Sequence, residues 1–244
     1  MELSVVIPSY REAENLRILL PELTEVLRTL TSDHEILVVD TQAPMDDTEE
    51  ICAEYGAVCV RREEGNNYGD AIRTGFSHSA GKYVAVMDAD GSHDPRDLER
   101  FYREIINDEA CDLVIGSRYC KGGSTDNPLI LRWMSLALNI SYRVFFGLKI
   151  RDVSDSYRLY RGEQVKALHL ECNNFDIVEE ILITLRFTVP GFTARELPIR
   201  FQKRAAGESK RKLGRFILTY LQTMRRLLGI KRNLQRRAVK EDRI

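Results

Sequence analysis

Residues 82–95, KYVAVMDADGSHDP, indicate the fold class of this chain. A run of strand-forming residues, Tyr83–Met87, ends in two aspartates, Asp88 and Asp90, and the following Gly91 permits a tight exit from the strand. Alternate residues of an extended segment share one face, so both carboxylates can approach one hard cation. Taken alone, this DxD pair is equally typical of two aspartates that close a strand and cap the next helix.

Outward from residues 82–95, short apolar runs alternate with helical patterns through the first half of the chain. The runs are LSVVIP (3–8), EILVVD (35–40), AVCV (57–60) and CDLVIGS (111–117), and the helical patterns cover about 14–30, 48–55, 68–79 and the residues after Pro95. The second half suggests a helix over 129–146, a strand at YRLYR (157–161), a helix near 175–187 and a late strand in ARELPIRF (194–201). This order predicts an α/β fold with a mostly parallel, Rossmann-like nucleotide-binding sheet and helices on both faces.

Polar residues cluster where four of the predicted strands end. They are Pro8–Glu12, Asp40, Asp88–His93 and Gly116–Tyr119. Ligands of parallel α/β sheets bind beyond the carboxyl ends of the strands, so these segments should face one crevice.

Composition adds an uneven charge distribution to this picture. The chain has 244 residues, 36 Lys and Arg, 37 Asp and Glu, and a formal net charge of −1, typical of an ordinary globular protein. From Arg200 to Ile244, however, there are fifteen basic and three acidic residues. We therefore predict a main domain at 1–211 and a basic, amphipathic helical tail at 212–244.

Two segments are candidates for contact with a membrane surface. Leu129–Leu148 is apolar but is interrupted by Arg132 and Arg143, so it could lie on a membrane and not cross one. In residues 213–230, apolar side chains recur at helical spacing, which fits packing on the main domain, packing on a second subunit, or an interfacial helix. The scattered cysteines and the absence of a signal-peptide pattern predict a cytoplasmic protein, peripheral at the inner face of the cell membrane.

Eight segments occur in an order that carries a specific resemblance. They are VVIPSYREAENL (5–16), EILVVD (35–40), NNYGDAIRTGF (66–76), GKYVAVMDADGSHDP (81–95), DLVIGSRY (112–119), RDVSDSYRLYR (151–161), ELPIRF (196–201) and GESK (207–210). In these segments the chain resembles the dolichol-phosphate mannose synthases and related polyprenyl-phosphate glycosyltransferases of glycosyltransferase family 2. The resemblance implies a GT-A fold, an inverting reaction and a requirement for Mg²⁺ or Mn²⁺.

The resemblance also implies roles for individual residues. The nucleotide-binding positions are Pro8, Tyr10, Glu12, Asp40, Asp88, Ala89 and Asp90, and the metal ligands are Asp88 and Asp90. The positions around the acceptor phosphate are Arg118, Arg132, Ser135, Asp152, Arg204 and Lys210. Asp90, Arg118, Arg132 and Arg204 are the predicted catalytic residues, because metal and fixed guanidinium groups stabilise the charge of the leaving diphosphate.

Several positions depart from the pattern of the family. Asp40 is followed by Thr, Gln and Ala where DDGS is usual, Arg11 replaces Asn, and Asp155 occupies a position where Gly is expected. Glu179 or Glu180 could activate a hydroxyl acceptor, although exposed helix carboxylates are the simpler interpretation. The donor base and sugar are therefore open, and the donor is a UDP- or GDP-sugar.

The leading hypothesis is sugar transfer from a nucleoside diphosphate to a polyprenyl phosphate at the cytoplasmic membrane surface. The alternative is a family 2 transferase that acts on a glycan or small-molecule hydroxyl. A nucleotidyltransferase needs a Gly-rich basic loop after its first strand, but this chain has PSYREAEN (8–15). No base-reading motif occurs in the basic tail, so no nucleic-acid partner is predicted. The sequence leaves open whether the chain forms a homo-oligomer.

Overall fold

The predicted alternation of strands and helices is present in the computed structural model, which describes the backbone of residues 1–202 and 213–241 and the side chains of residues 1–202 and 222–236. The strands are β1 (Leu3–Pro8), β2 (His34–Asp40), β3 (Val58–Arg61), β4 (Tyr83–Val86), β5 (Leu113–Ser117), β6 (Ser124–Thr125), β7 (Arg158–Arg161), β8 (Ala194–Pro198) and β9 (Arg200–Phe201). The helices are α1 (Ala13–Leu30), α2 (Thr48–Tyr55), α3 (Tyr68–His78), α4 (Asp97–Asn107), α5 (Leu129–Phe146), α6 (Gly162–Lys166), α7 (Ile177–Thr188) and α8 (Leu213–Glu241). The α/β class is confirmed.

The main sheet has the strand order β3-β2-β1-β4-β7-β5-β8. Strand β1 pairs in parallel with β2 and β4, β2 pairs in parallel with β3, and β5 pairs in parallel with β8. Strand β7 is antiparallel to both of its neighbours, β4 and β5. All strands of this sheet except β7 therefore share one direction, and the predicted mostly parallel sheet is confirmed.

Helices cover both faces of the sheet. Successive strand residues point to opposite faces and therefore meet different helices. Val6 packs with the buried side chains of α3 and α7, whereas Val5 and Ile7 pack with those of α1, α2 and α4. Every residue of β1 is buried, which explains its nearly continuous apolar sequence.

The direction of β7 matters for the position of the site. Strands β1, β2, β4 and β5 end at one edge of the sheet, as the sequence predicts. Because β7 runs the other way, it begins at that edge, and the loop before it, residues 151–157, lies there too.

The helix α8 packs against α7 in its described part. Met224 and Leu227 are buried in the same cluster as the inner face of α7, and the Thr223 hydroxyl lies 3.2 Å from Oδ2 of Asp176. Of the alternatives for the apolar stripe of residues 213–230, packing on the main domain therefore holds for these two residues. The side chains of residues 213–221 lie outside the described residues, and the division of the chain between 211 and 212 stays a prediction.

Candidate functional site

The loop after β1 supplies the first group of predicted nucleotide-binding residues. Pro8 is buried at the end of β1, while Tyr10 is 52% exposed. Arg11 has a φ of 58°, a left-handed conformation that is uncommon for residues other than glycine. Glu12 accepts a hydrogen bond from the side-chain amide of Asn15, in the first turn of α1. This loop therefore presents an exposed aromatic ring on a constrained backbone.

Asp40, at the end of β2, is deeply buried. Its side chain is 1% exposed, and Oδ2 accepts a hydrogen bond of 2.6 Å from Nη1 of Arg61. Burial raises the pKa of Asp40 despite the opposing backbone hydrogen bond and the Arg61 charge. Its other oxygen, Oδ1, is buried and has no hydrogen-bond partner among the described residues.

Asp88 and Asp90 lie directly beyond β4, as the sequence predicts. Burial raises the pKa of Asp88, and the nearby charge of Asp90 adds to the increase. Oδ1 of Asp90 accepts a hydrogen bond of 3.0 Å from the backbone N–H of Ser92. Ala89 between them is buried, and Gly91 has a φ of 75°, the conformation that the tight exit from the strand requires.

Two hydroxyl groups from distant segments and one neighbouring side chain hold Asp88 in place. The Tyr68 hydroxyl donates to Oδ1 at 3.1 Å, and the Ser156 hydroxyl donates to Oδ2 at 2.8 Å. The backbone N–H of Asp88 donates to Nδ1 of His93 at 3.2 Å. The carboxylate thus has hydroxyl donors on both oxygens, which a metal ion could replace.

Arg118, just after β5, is the centre of a buried ion-pair cluster. Its Nε and Nη2 donate to the two oxygens of Asp152 at 2.8 and 2.7 Å, and Nη2 also donates to the Ser154 hydroxyl at 2.9 Å. Asp155 contributes a second carboxylate, with Oδ2 at 3.3 Å from Nε of Arg118. The guanidinium is 9% exposed, and within the described part of the chain its Nη1 has no hydrogen-bond acceptor.

The helix α5 brings Ser135 to this cluster. The hydroxyl of Ser135 lies 3.4 Å from that of Ser154, which accepts the hydrogen bond from Arg118. Arg132 is exposed one turn earlier on α5, and its guanidinium makes no hydrogen bond to another described residue. Residues three apart on a helix share a face, so Arg132 and Ser135 project on the same side.

The remaining predicted positions divide into two groups. Arg204 and Lys210 lie outside the described residues. Glu179 and Glu180, expected to be exposed, are instead 7% and 1% exposed, because α7 is covered on nearly all sides along its first nine residues. Glu180 accepts hydrogen bonds from the backbone N–H groups of Glu171 and Cys172, and burial raises the pKa of Glu179 to about 8.

A divalent metal fits the donor set after β4. Within the described residues, no three His, Cys, Asp or Glu side chains converge in a ready-made metal site. Mg²⁺ is commonly held by one or two carboxylates together with substrate phosphates and water, so such a cluster is not required. Asp88 and Asp90 provide the hard oxygen atoms that Mg²⁺ and Mn²⁺ prefer.

Sequence reasoning assigned no role to several residues that shape the site. Tyr68 belongs to the quoted NNYGD segment and stacks on Phe175, with ring centroids 4.2 Å apart. Ser156 and Asp155 belong to the quoted RDVSDSYRLYR segment. Their position in family motifs was therefore the only sequence feature that marked these residues. It did not predict which side chains they contact.

A stripe of large apolar side chains is exposed along α5. Ile130, Trp133, Ile140 and Val144 are 61%, 68%, 49% and 73% exposed and recur at helical spacing. Basic groups flank them: Arg132 and Arg143 are exposed on α5, and Nζ of Lys231 on α8 donates to the carbonyl of Phe145. Among the described residues, no helix combines the length and the apolar character that crossing a bilayer requires.

Comparison with solved structures identifies the fold. Glucosyl-3-phosphoglycerate synthase from Mycobacterium tuberculosis, solved with Mg²⁺ and UDP, matches with a TM-score of 0.69 and 18% identity, covering 93% of this chain and 78% of that one. The same enzyme with Mn²⁺, UDP and glucosyl-3-phosphoglycerate gives a TM-score of 0.70. This likeness confirms the expected GT-A fold.

Comparison of sequences identifies the family. The profile described as "Glycosyl transferase family 2" matches residues 4–168. The dolichol-phosphate mannosyltransferase of Pyrococcus furiosus is 34% identical over 235 residues, covering 93% of this chain and 64% of that protein, so this chain spans less than two thirds of that relative. The undecaprenyl-phosphate mannosyltransferase of Micrococcus luteus is 33% identical over 224 residues, covering 86% of this chain and 87% of that protein. The chain therefore belongs to glycosyltransferase family 2.

Proposed function

We propose that the chain transfers a sugar from a nucleoside diphosphate to a polyprenyl phosphate, with inversion at the sugar carbon. The observation that carries the proposal is the position of the DxD pair and the Arg118 cluster, which are joined at one edge of the sheet by Ser156 and Asp155. The two sequence relatives are mannosyltransferases, which favours mannose as the first donor sugar to test.

On the donor side, Asp88 and Asp90 would hold Mg²⁺ or Mn²⁺ against the diphosphate. The metal, when bound, neutralises the charge that develops on the leaving nucleoside diphosphate. Pro8, Tyr10, Glu12 and Asp40 would surround the nucleotide, with Tyr10 the most exposed of the four.

On the acceptor side, the cations would bind and orient a phosphate. Nη1 of Arg118 has no acceptor among the described residues, and Arg132 and Ser135 project from the same face of α5. Arg204 and Lys210 would add positive charge from outside the described residues, and Asp152 would fix the orientation of Arg118. A phosphate oxygen attacks the sugar carbon while the bond to the donor diphosphate breaks. An ionised phosphate is already nucleophilic near neutral pH, so no strong general base is needed.

The exposed stripe of α5 supports a peripheral location at the cytoplasmic membrane surface. Apolar side chains flanked by Arg and Lys are typical of helices that lie in the interface with anionic lipid. In this proposal, residues 212–244 form the basic tail and α5 supplies the apolar contact, since Met224 and Leu227 of α8 are buried against protein.

An acceptor panel tests the proposed reaction. Purified protein is given UDP- and GDP-sugars with Mg²⁺ or Mn²⁺, and transfer is measured to a polyprenyl phosphate, the matching free polyprenol, and soluble glycans. Of these acceptors, we expect only the lipid phosphate to give product. Transfer to a glycan or to a free hydroxyl, with none to the lipid phosphate, would replace this proposal by the hydroxyl-acceptor alternative.

A vesicle assay tests the location separately. Trp133→Glu combined with Ile140→Glu should abolish sedimentation with vesicles containing anionic lipid, because both changes place charge in the apolar stripe. The matched control is the exposed Ile18→Glu on α1, 62% exposed, which should sediment like the wild type. Equal sedimentation of the double variant and the wild type would remove α5 from the proposal.

A further inference from the structure

We propose that Asp155 is a positioning residue that couples Arg118 to the loop carrying Asp88 and Asp90. One carboxylate oxygen, Oδ2, lies 3.3 Å from Nε of Arg118. The other, Oδ1, lies 3.3 Å from Nε2 of His93, and both His93 and Asp155 have fully buried side chains. The inference rests on the proposed function, since Arg118 is the proposed acceptor contact and Asp88 the proposed metal ligand.

The His93 ring carries the coupling to the donor side. Its Nδ1 accepts the hydrogen bond from the backbone N–H of Asp88, so the proton that faces Asp155 is the one on Nε2. The ring stacks on Tyr157, with centroids 4.9 Å apart, and meets the edge of Phe201 at 5.5 Å. These contacts leave the imidazole little freedom to turn, and its position therefore sets the position of the Asp88 backbone.

The carboxylate of Asp155 is itself fixed. Its Oδ1 accepts a hydrogen bond of 2.9 Å from the backbone N–H of Tyr157, at the entry to β7. Burial alone would raise the pKa of Asp155, but the charge of Arg118, the Nε2–H of His93 and the hydrogen bond from the Tyr157 backbone hold it below its usual value. Asp155 therefore stays ionised and keeps both neighbours oriented towards it.

The family pattern does not include this coupling, because Asp155 stands where the sequence resemblance led us to expect glycine. A glycine at this position could contact neither Arg118 nor His93. Asp152 would still pair with Arg118, so Asp155 is not needed to neutralise the guanidinium. What Asp155 adds is a connection between two parts of the site that are far apart in sequence.

Amide hydrogen exchange tests the coupling without relying on activity. In Asp155→Asn, the exchange rate of the Asp88 amide should rise by about tenfold, the effect expected when a buried contact to a carboxylate is weakened. His93→Gln should produce a similar rise, and the double variant should exceed neither single variant by more than about twofold, because both act through one connection. The control is Asp112→Asn, at the opposite edge of the sheet, where the carboxylate accepts from Thr193 and Gln164. It should leave the Asp88 amide unchanged.

Asp155→Ser provides the same measurement if Asp155→Asn does not fold. Unchanged exchange at Asp88, or additive effects of the Asp155 and His93 variants, would overturn the proposal. In a transfer assay, Asp155→Asn should lower kcat by about tenfold while the donor KM stays within about twofold. If the wild type transfers no sugar, the proposed function fails, but the exchange experiment still decides whether Asp155 holds the loop.

Discussion

The proposed donor and acceptor sides of the site use the same residue type in opposite ways. On the donor side, Asp88 accepts hydrogen bonds from the hydroxyls of Tyr68 and Ser156, and its pKa is raised chiefly by burial. On the proposed acceptor side, Asp155 is 1% exposed and more enclosed than the half-buried Asp88, but its pKa is lowered because Arg118 and His93 face it. A buried carboxylate that faces hydroxyl groups is prepared for a cation, whereas one that faces a guanidinium already has its counter-charge. Substitutions on the acceptor side should therefore affect stability more than those on the donor side.

The largest stability effect is expected for Asp152→Asn. The variant removes the main counter-charge of a guanidinium that is 9% exposed, which should lower the free energy of unfolding by about 3 kcal/mol. The measurement is urea denaturation at pH 7. The exposed pair of Arg200 and Asp126, at 3.2 Å, supplies the control, because Asp126→Asn should cost less than about 1 kcal/mol. Equal losses in the two variants would contradict the account of Arg118.

Glu179→Gln should change how stability depends on pH. The pKa of Glu179 rises from its ordinary 4.5 to about 8 in the folded chain, so between these values the folded state binds the proton and the unfolded state releases it. Stability from this group is complete below pH 4.5 and is lost as the pH rises towards 8. Glutamine cannot ionise, so the variant should gain about 2 kcal/mol relative to wild type between pH 5.5 and 7.

Thermal denaturation at several pH values measures this change. The exposed Glu163→Gln on α6 is the control and should follow the wild-type curve. A constant difference between Glu179→Gln and the wild type across this range would show that Glu179 is ionised in the folded protein.

Ser156→Ala should have a smaller effect, on the donor side. It removes the hydroxyl that donates to Asp88 at 2.8 Å and should lower the free energy of unfolding by about 1 kcal/mol. The exposed Ser77→Ala on α3 should change it by less than about 0.5 kcal/mol. If both variants unfold at the same urea concentration, the hydrogen bond to Asp88 makes no net contribution.

The smallest effect, a gain in stability, is expected for Arg11→Asn. Asparagine tolerates the left-handed conformation that Arg11 adopts with a φ of 58°, so the variant should gain roughly 0.5 kcal/mol. In a chain of this size that corresponds to a rise of about 1–2 °C in Tm, measured by calorimetry. A lower Tm would mean that the arginine side chain stabilises the loop by more than the conformation costs.

The sequence predicted the parts of the molecule that depend on local pattern. The helix α5 begins and ends at the predicted residues, 129 and 146, and the strands with continuous apolar runs form the parallel part of the sheet. The antiparallel direction of β7 was not predicted, because YRLYR carries no signal for the direction of pairing. That direction is what brings residues 151–157 to the site.

The contacts within the site were less predictable, because they join residues that lie far apart in sequence. His93 meets Asp155 across more than sixty residues of sequence, and no local periodicity reports such a pair. Glu179 was expected to be exposed because charged helix residues usually are, but α7 has apolar residues on almost every side and is covered accordingly. The positions of Asp88 and Asp90 beyond β4 were predictable because the two residues are neighbours in sequence, and their role as metal ligands stays a prediction.

The most direct test of the central claim is sugar transfer by wild type and Asp90→Ala across a titration of Mn²⁺ and Mg²⁺, with a nucleoside-diphosphate sugar and a polyprenyl phosphate. We expect wild-type transfer to require the metal and Asp90→Ala to lower kcat/KM by at least about 1000-fold, while its unfolding midpoint in urea stays close to that of the wild type. Metal-independent transfer, or an Asp90→Ala variant as active as the wild type, would contradict the assignment of the DxD pair to the donor diphosphate.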